Sequence, residues 1–255
     1  MITTTLAASG RRMLLGAAMA ALPSAVSALA GALSEAQRAE VVELLRRSLV
    51  EDPSILREAM VALQGADSAA AAQRQRDVIL AHADALFHDP ADPVLGNPSG
   101  DVTIVEFFDA RCGYCKQMHP AVTTLQSRDH GLRLILKDLP ILGPNSVVAS
   151  QALLAAQRQG RYAALHDGLM RLTTEPTEAV LRVQAEKVGA DWARLRRDME
   201  DPAIRRRLEA NVALAQALGI EGTPALVVSS THALIPGAVD LAALEGLMTS
   251  ARAAL

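Results

Sequence analysis

Along residues 34–88 apolar side chains recur at the three- and four-residue spacing of a helix. Ser34 with Gln37 three positions later makes a capping box, and Val41, Leu44, Leu45 and Leu49 then fall on one face. Asp52-Pro53 reads as an N-cap followed by proline at the first helical position. The helix it opens carries Ile55, Leu56, Ala59, Met60 and Leu63 and is expected to end near Gly65. A third segment, about 66–87, is alanine-rich and polar before it gains Val78, Ile79, Leu86 and Phe87. Stripes like these must be covered, either by the rest of the chain or by another copy of it.

The pattern changes after a break at 88–100, where Pro90, Pro93, Pro98, Gly96 and Gly100 mark a boundary. A strand is predicted over 102–108. Val102, Ile104 and Phe108 point to one face, Val105 and Phe107 to the other, so both faces are expected to be buried. Glu106 is the exception, a carboxylate on the face of Ile104 and Phe108. A helix follows Cys112 and meets Pro120, and a second strand spans 132–137. A long helical stretch then runs from about 145 to 219, broken by Gly160, by 173–177 with Pro176, by Gly189 and by Asp201-Pro202, and closed by Gly219. Strands at 225–228 and near 233–235 and a last helix from about Asp240 complete the order βαβ, helical insertion, ββα. The first unit requires a right-handed parallel crossover, and the closing pair a hairpin, giving an α/β fold with a mixed sheet of four strands.

Composition narrows the picture. With six aromatics in 255 residues, the core must be built from Ala, Leu, Val and Ile. A net charge of −3 gives no reason to expect a nucleic-acid partner. Residues 1–30 hold no acidic side chain. They place Arg11-Arg12 before an apolar run that Pro23 interrupts, and end on Ala28-Leu29-Ala30, the small-x-small pattern of a cleaved export signal. A retained anchor is the alternative, although the run is short for a span. The two arginines also suggest the twin-arginine route. Export would place the mature chain in the periplasm, where disulfides form.

Cys112 and Cys115 are the only cysteines. A bond between them would close a very short loop, and loop-closure stabilisation grows with loop length, so the pair is a poor staple. Redox or metal chemistry is the better reading. At a helix N-terminus, backbone N–H groups and the helix dipole lower the pKa of Cys112, which makes it the nucleophile and the more buried Cys115 the resolving thiol. Glu106, desolvated in an apolar strand, is expected to have a raised pKa and to exchange a proton with Cys115; a strand-end glutamate reaching solvent is the alternative. His119, one helical turn beyond Cys115, reads first as an exposed first-turn residue or one that tunes the thiolate charge; as C-x₂-C-x₃-H it alternatively completes three ligands for Cu(I) or Zn(II). The arginine groups Arg194, Arg196, Arg197 and Arg205 to Arg207 read as solvated helix faces.

Three stretches, PVLGNPSGDVTIVEFFDARCGYCKQMHP, KDLPILGPNS and GTPALVV, carry a resemblance. Residues 94–255 look like the DsbA-like branch of the thioredoxin superfamily, and the whole chain resembles its ScsC-type (suppressor of copper sensitivity protein C) members. The resemblance implies a thioredoxin fold with a helical insertion over 89–255 and no cofactor. It also implies that Thr223-Pro224 is a cis-proline loop facing the cysteines and receiving a substrate strand, and that Glu106 is the family's buried acid. Gly113-Tyr114 between the cysteines, with Thr before the proline, is similar to disulfide isomerases of the DsbC type rather than to the oxidase DsbA. Some ScsC-type proteins carry an N-terminal trimerising stalk, and residues 31–88 stand in its place.

The expectation is therefore an exported thiol–disulfide oxidoreductase, an isomerase or reductase of other exported proteins, served by a membrane thiol reductant and self-associating through residues 31–88. An oxidase using the same residues is one alternative. A copper-binding module of Cys112, Cys115 and His119 is another.

Overall fold

A computed structural model describes residues 33–255. The export-signal reading of residues 1–30 lies outside the described residues. Among those described, no helix is long and apolar enough to cross a membrane. Two compact units divide the chain between Asp67 and Ser68.

The described part of the first unit is helical. Helix α1 (Glu35–Glu51) opens with the expected capping box, Ser34 and Gln37 each satisfying the other's backbone N–H. Asp52 ends it and starts the next helix. Its own N–H bonds to the Ser48 carbonyl, while its carboxylate accepts from the Ser54 N–H at 3.0 Å. Helix α2 (Ser54–Ala81) then runs without a break through Gly65. The second interruption expected there is absent. A single glycine costs a helix about 1 kcal/mol, and the alanines at 66 and 69–72 are the best of helix formers. No residue of α1 is buried.

The second unit holds a five-stranded sheet of order β1-β3-β2-β4-β5. Its strands are β1 (Val94–Gly96), β2 (Val102–Phe108), β3 (Leu132–Asp138), β4 (Ala225–Val228) and β5 (Ala233–Pro236). The β2–β3 pair is parallel and the other three pairs are antiparallel. This is the thioredoxin arrangement, with one strand more than expected. β1 lies inside the Pro/Gly stretch read as a boundary, too short to show alternation. Gly96 allows it: φ is +74°, and a Cβ there would sit 2.5 Å from the Leu132 carbonyl oxygen.

Strand β2 is the centre of the sheet, and its two faces feed two cores. Val102, Ile104 and Phe108 join the larger one, together with helix α3 (Gly113–Arg128), the insertion and the last helix, α9 (Leu241–Ala253). Val105 and Phe107 join the smaller one, together with Ile79 from the end of α2, Leu86 and Phe87 from a π-helical turn at Asp84–His88, and Leu214 and Leu218. The apolar residues at 79–87 therefore cover the sheet of their own unit.

The insertion comprises α4 (Pro144–Gln157), α5 (Tyr162–Met170), α6 (Glu178–Lys187), α7 (Trp192–Asp198) and α8 (Pro202–Ala217). Helix α4 is buried along most of its length, with alanines at 149, 152, 155 and 156 allowing close approach of its neighbours. One arginine assigned to a solvated face is not there. Arg207 reaches the buried Asp92 at 2.6 Å, and Asp92 also pairs with the buried Lys137 at 2.5 Å. Removing either cation would leave a buried charge underpaired, which is the costly way to break such a pair.

Candidate active site

The chain leaves β2 at Phe108, turns through Asp109, Ala110 and Arg111, and enters α3 with Cys112 as the N-cap. The turn is set by the Cys112 N–H donating to the Asp109 carbonyl at 2.9 Å. At an N-cap position an acceptor side chain satisfies a free N–H of the first turn. Here that acceptor is sulfur, the Sγ of Cys112 taking the Cys115 N–H at 3.4 Å. Cys112 is 6 % exposed and Cys115 1 %, and both are free thiols.

Three residues apart, the two thiols are driven in opposite directions. The Cys112 pKa is lowered to about 5, chiefly by hydrogen bonding from the Cys115 thiol; burial opposes this, and the Thr223 side chain and the backbone N–H groups of Cys115 and Tyr114 add to it. Cys115 is pushed far above the usual thiol range by the same interaction with Cys112 and then by burial. An asymmetry of this kind is what a nucleophile and a resolving partner would require.

Glu106 lies in the middle of β2, opposite Leu136 of β3 and Leu226 of β4. It is buried, and desolvation, followed by the negative charge of Cys112, pushes its carboxyl up to about 8. It does not reach solvent as a strand-end glutamate would. It is coupled through charge to both cysteines.

The Thr223–Pro224 bond is cis. Thr223 precedes β4, the strand beside β2, so the sheet carries it across to the cysteines, and the Cys112 thiol donates to its carbonyl at 3.1 Å. A groove of about 380 Å³ runs along this loop, lined by residues 219–225 with Leu234, Pro236 and Gly237. Gly113 and Tyr114, between the two cysteines, are both exposed, Tyr114 at 67 %.

His119 is placed elsewhere. Its Nε2 pairs with the Asp167 carboxylate at 2.8 Å, and its ring meets that of His166 edge-on. Among the described residues, no three His, Cys, Asp or Glu side chains are grouped so as to hold a metal ion. The C-x₂-C-x₃-H spacing is real in sequence, but α5 draws the imidazole to itself.

Sequence reasoning passed over several buried polar residues around the pair. Asp109 is fully buried and bonded to the loop after β3. Asp138, beside Phe108 at the end of β3, is pushed up to about 7 by burial and accepts from the Tyr162 hydroxyl at 2.8 Å. His166 packs edge-on against Phe108, and its burial lowers the pKa to about 3, so the ring is neutral. The only signal for Asp109 was its place three residues before Cys112. The other two carried none, because their neighbours come from helices distant in sequence.

Comparison with known proteins agrees with this geometry. A family model described as the DsbA-like thioredoxin domain matches residues 103–249. A thioredoxin-like oxidoreductase from Silicibacter pomeroyi is 44% identical, its structure covering 68% of this chain and 98% of its own at a TM-score of 0.65. A linker-deletion mutant of ScsC from Proteus mirabilis is 31% identical over 88% of this chain and 99% of its own, also at a TM-score of 0.65. Among curated proteins, a Na(+)/H(+) antiporter NhaA 1 from Salinispora arenicola is 32% identical over 168 residues, 64% of this chain. The chain spans about a quarter (26%) of that relative's length. A thiolate-prone cysteine at a helix cap, a second buried thiol behind it and a cis-proline loop across from it accompany a family match over more than half the chain: this protein belongs to the DsbA-like thioredoxin domain family and has the fold of its thiol–disulfide oxidoreductases.

Proposed function

We propose that the chain carries out thiol–disulfide exchange on exported proteins, as an isomerase or reductase, with Cys112 as nucleophile and Cys115 as resolving thiol. The observation that carries this reading is the opposed tuning of the two thiols. The Cys112 thiolate attacks one sulfur of a substrate disulfide, forming a mixed disulfide and releasing the other substrate sulfur as a thiolate. The charge on Cys112 disappears in that step. One of the two causes that raise the Glu106 pKa is then gone, so Glu106 ionises more readily; once its own proton has passed to the released substrate thiolate, its carboxylate can take the proton of Cys115.

Two exits follow. The Cys115 thiolate attacks Cys112, giving the Cys112–Cys115 disulfide and a reduced substrate. Alternatively, another substrate thiolate attacks the mixed disulfide and frees Cys112 with no net redox change. The first exit needs a reductant, a membrane thiol protein in this reading. Thr223 and Pro224, with the groove beside them, receive the substrate strand, and Gly113-Tyr114 face it.

Residues 31–88 contribute the stalk of a homo-oligomer, a trimer as in some ScsC-type relatives. What supports this is the exposure of the apolar stripe of α1 and early α2, including Leu44, Leu45, Leu56 and Leu63, each more than half exposed. The pattern of residues 1–30 supports a periplasmic location.

Refolding of scrambled ribonuclease by the purified chain, lost in Cys112→Ala, tests the central claim; a wild type without any thiol–disulfide exchange sinks it. The redox state of the pair in cells sets the direction. A mostly oxidised pair in a monomeric chain overturns the isomerase reading in favour of an oxidase.

A further inference from the structure

One buried backbone N–H beside the cysteines bonds to sulfur rather than to oxygen. Asp109 is fully buried, and among the described residues no carbonyl accepts its N–H. The sheet offers none, because the last pair of β2 with β4 is Phe107 with Ala225. A buried N–H without any partner is rare and costly. Its partner here is Cys115. The Cys112 thiol, burial and the charges of Glu106 and Cys112 all raise the Cys115 pKa, and the bond from the Asp109 backbone lowers it.

The direction of that N–H is fixed from outside the turn. In a trans peptide the C=O and N–H point opposite ways. The carbonyl of the same peptide, on Phe108, accepts the Leu139 N–H at 2.8 Å. One oxygen of the Asp109 carboxylate accepts the Arg111 N–H at 2.8 Å, and the other accepts the N–H groups of Ile141 and Leu142, both at 3.0 Å. The Asp109 carbonyl accepts the Cys112 N–H at 2.9 Å. A turn before Cys112 has use for the bonds from Arg111 and Cys112 only. Those from Leu139, Ile141 and Leu142 come from the segment after β3. Turning the Phe108–Asp109 peptide away from Cys115 would break the first of them and strain the other two.

We infer that Asp109 is a catalytic residue of the resolving step: its N–H, held on the Cys115 sulfur by the carboxylate's anchor on the segment after β3, stabilises the thiolate that attacks Cys112. The inference deepens the exchange reading above and rests on it. In the mixed disulfide the Cys115 proton passes to Glu106 and leaves a buried thiolate. That thiolate attacks the Cys112 sulfur. The Cys112–Cys115 bond forms and the bond from Cys112 to the substrate breaks. The substrate sulfur leaves as a thiolate, reduced by the two electrons that the cysteine pair gives up. A hydrogen bond to a charged acceptor is roughly twice as strong as one to a neutral acceptor, so the N–H helps most once Cys115 is charged. A donor fixed in advance needs no reorganisation at that moment. Attack by Cys112 comes before that charge exists and gains nothing from it.

The test uses the full reduced chain with one equivalent of dithiobis-nitrobenzoate, an aromatic disulfide. It releases one coloured thiolate when Cys112 attacks and a second when Cys115 resolves the mixed disulfide. Asp109→Asn keeps the size but puts an N–H₂ donor where one acceptor oxygen stood, which weakens the anchor. It is expected to slow the second release about tenfold and to move the pH midpoint of that release up by about one unit. The first release should stay within about twofold, and the pH midpoint of Cys112 thiolate absorbance should not move. A residue that only shaped the turn would change both of these. A second measurement leaves Asp109 in place. The Asp109 amide proton, followed by NMR, should move upfield in Cys115→Ala, and Cys115→Ser, which restores an acceptor, should return most of that shift.

Equal slowing of both releases, a moved Cys112 midpoint or an unchanged second release overturns the inference. So does an Asp109 amide resonance indifferent to Cys115→Ala, a result that stands even if Asp109→Asn fails to fold. A wild type that releases neither thiolate fails the exchange reading itself. One that releases only the first keeps Cys112 as nucleophile and removes resolution by Cys115, and this role of Asp109 with it.

Discussion

The same helix meets two fates for its apolar residues. Near its start α2 carries Ile55, Leu56, Met60 and Leu63, all about half exposed or more. In its last turns it carries Ile79, which is completely buried and joined by Leu86 and Phe87 under the sheet. The periodicity is the same in both stretches, so it is not what separates them. The difference is a partner surface: β2 and β3 offer Val105, Phe107 and Ile135 to the second stretch, and among the described residues of its own unit nothing buries the first. An apolar stripe says that burial is favourable, at about 25 cal/mol per Å², without saying against what.

The difference can be broken or sharpened by substitution, beginning with the largest effect. Cys112→Ala should abolish thiol–disulfide exchange in the full chain and equally in a chain lacking residues 31–65, if the chemistry belongs wholly to the second unit. Activity surviving in either, assayed with scrambled ribonuclease, would place the nucleophile elsewhere.

Ile79→Ala should cost about 3 kcal/mol in urea unfolding, because it opens a cavity under the sheet. Leu45→Ala should cost less than about 0.5 kcal/mol in the dissociated chain, where that side chain is exposed. Its effect should appear instead in the concentration dependence of the mass measured by light scattering. If both act alike on the dissociated chain, the division into a covered and an uncovered stripe fails.

Glu106→Gln should stabilise the reduced protein by about 2 kcal/mol near pH 8 and slow the resolving step by Cys115. The sign follows from the pKa. Burial raises Glu106 from 4.5 to about 8, so the stability it permits is complete below pH 4.5 and is lost as pH rises through 8. Cys112 runs the other way. Its pKa is depressed from 9.0 to about 5, so the thiolate's contribution to the reduced protein is complete above pH 9 and is lost as pH falls through 5. Thermal unfolding of the reduced wild type and of Glu106→Gln across pH 4–9 checks both slopes.

The smallest effect expected is on simple chemistry. Deletion of residues 31–65 should lower the oligomeric mass and reduce isomerisation, yet leave reduction of a small disulfide within about twofold, since a stalk acts by raising the local concentration of sites. An unchanged mass on light scattering would remove self-association from the account.

Much of the site was legible in the sequence because its signals are local. The spacing of Cys112 and Cys115, their place between an apolar strand and a helix, and the two-faced burial of β2 are all properties of adjacent residues, and the structure shows each of them. The helical insertion was legible for the same reason, through its glycines and its Asp201-Pro202 start. Illegible were the short β1, which pairs with β3 on the strength of Gly96, and the continuity of α2 through Gly65, where good helix formers outweigh one poor one. His119 shows the limit of spacing. Its place one turn beyond Cys115 left several roles open, and the pairing of its Nε2 with Asp167 on another helix was not legible.

By itself, then, the sequence determined how the two cysteines are spaced, which strand precedes them and which segments are helical, because period and spacing act over a few residues. The tertiary structure decided which apolar stripe is covered, how far burial raises Glu106, and which distant backbone Asp109 bonds. It also decided that Thr223, 111 residues from Cys112 along the chain, hydrogen-bonds to it. Burial, charge and hydrogen bonding depend on neighbours in space, and those neighbours are supplied only when the chain has folded.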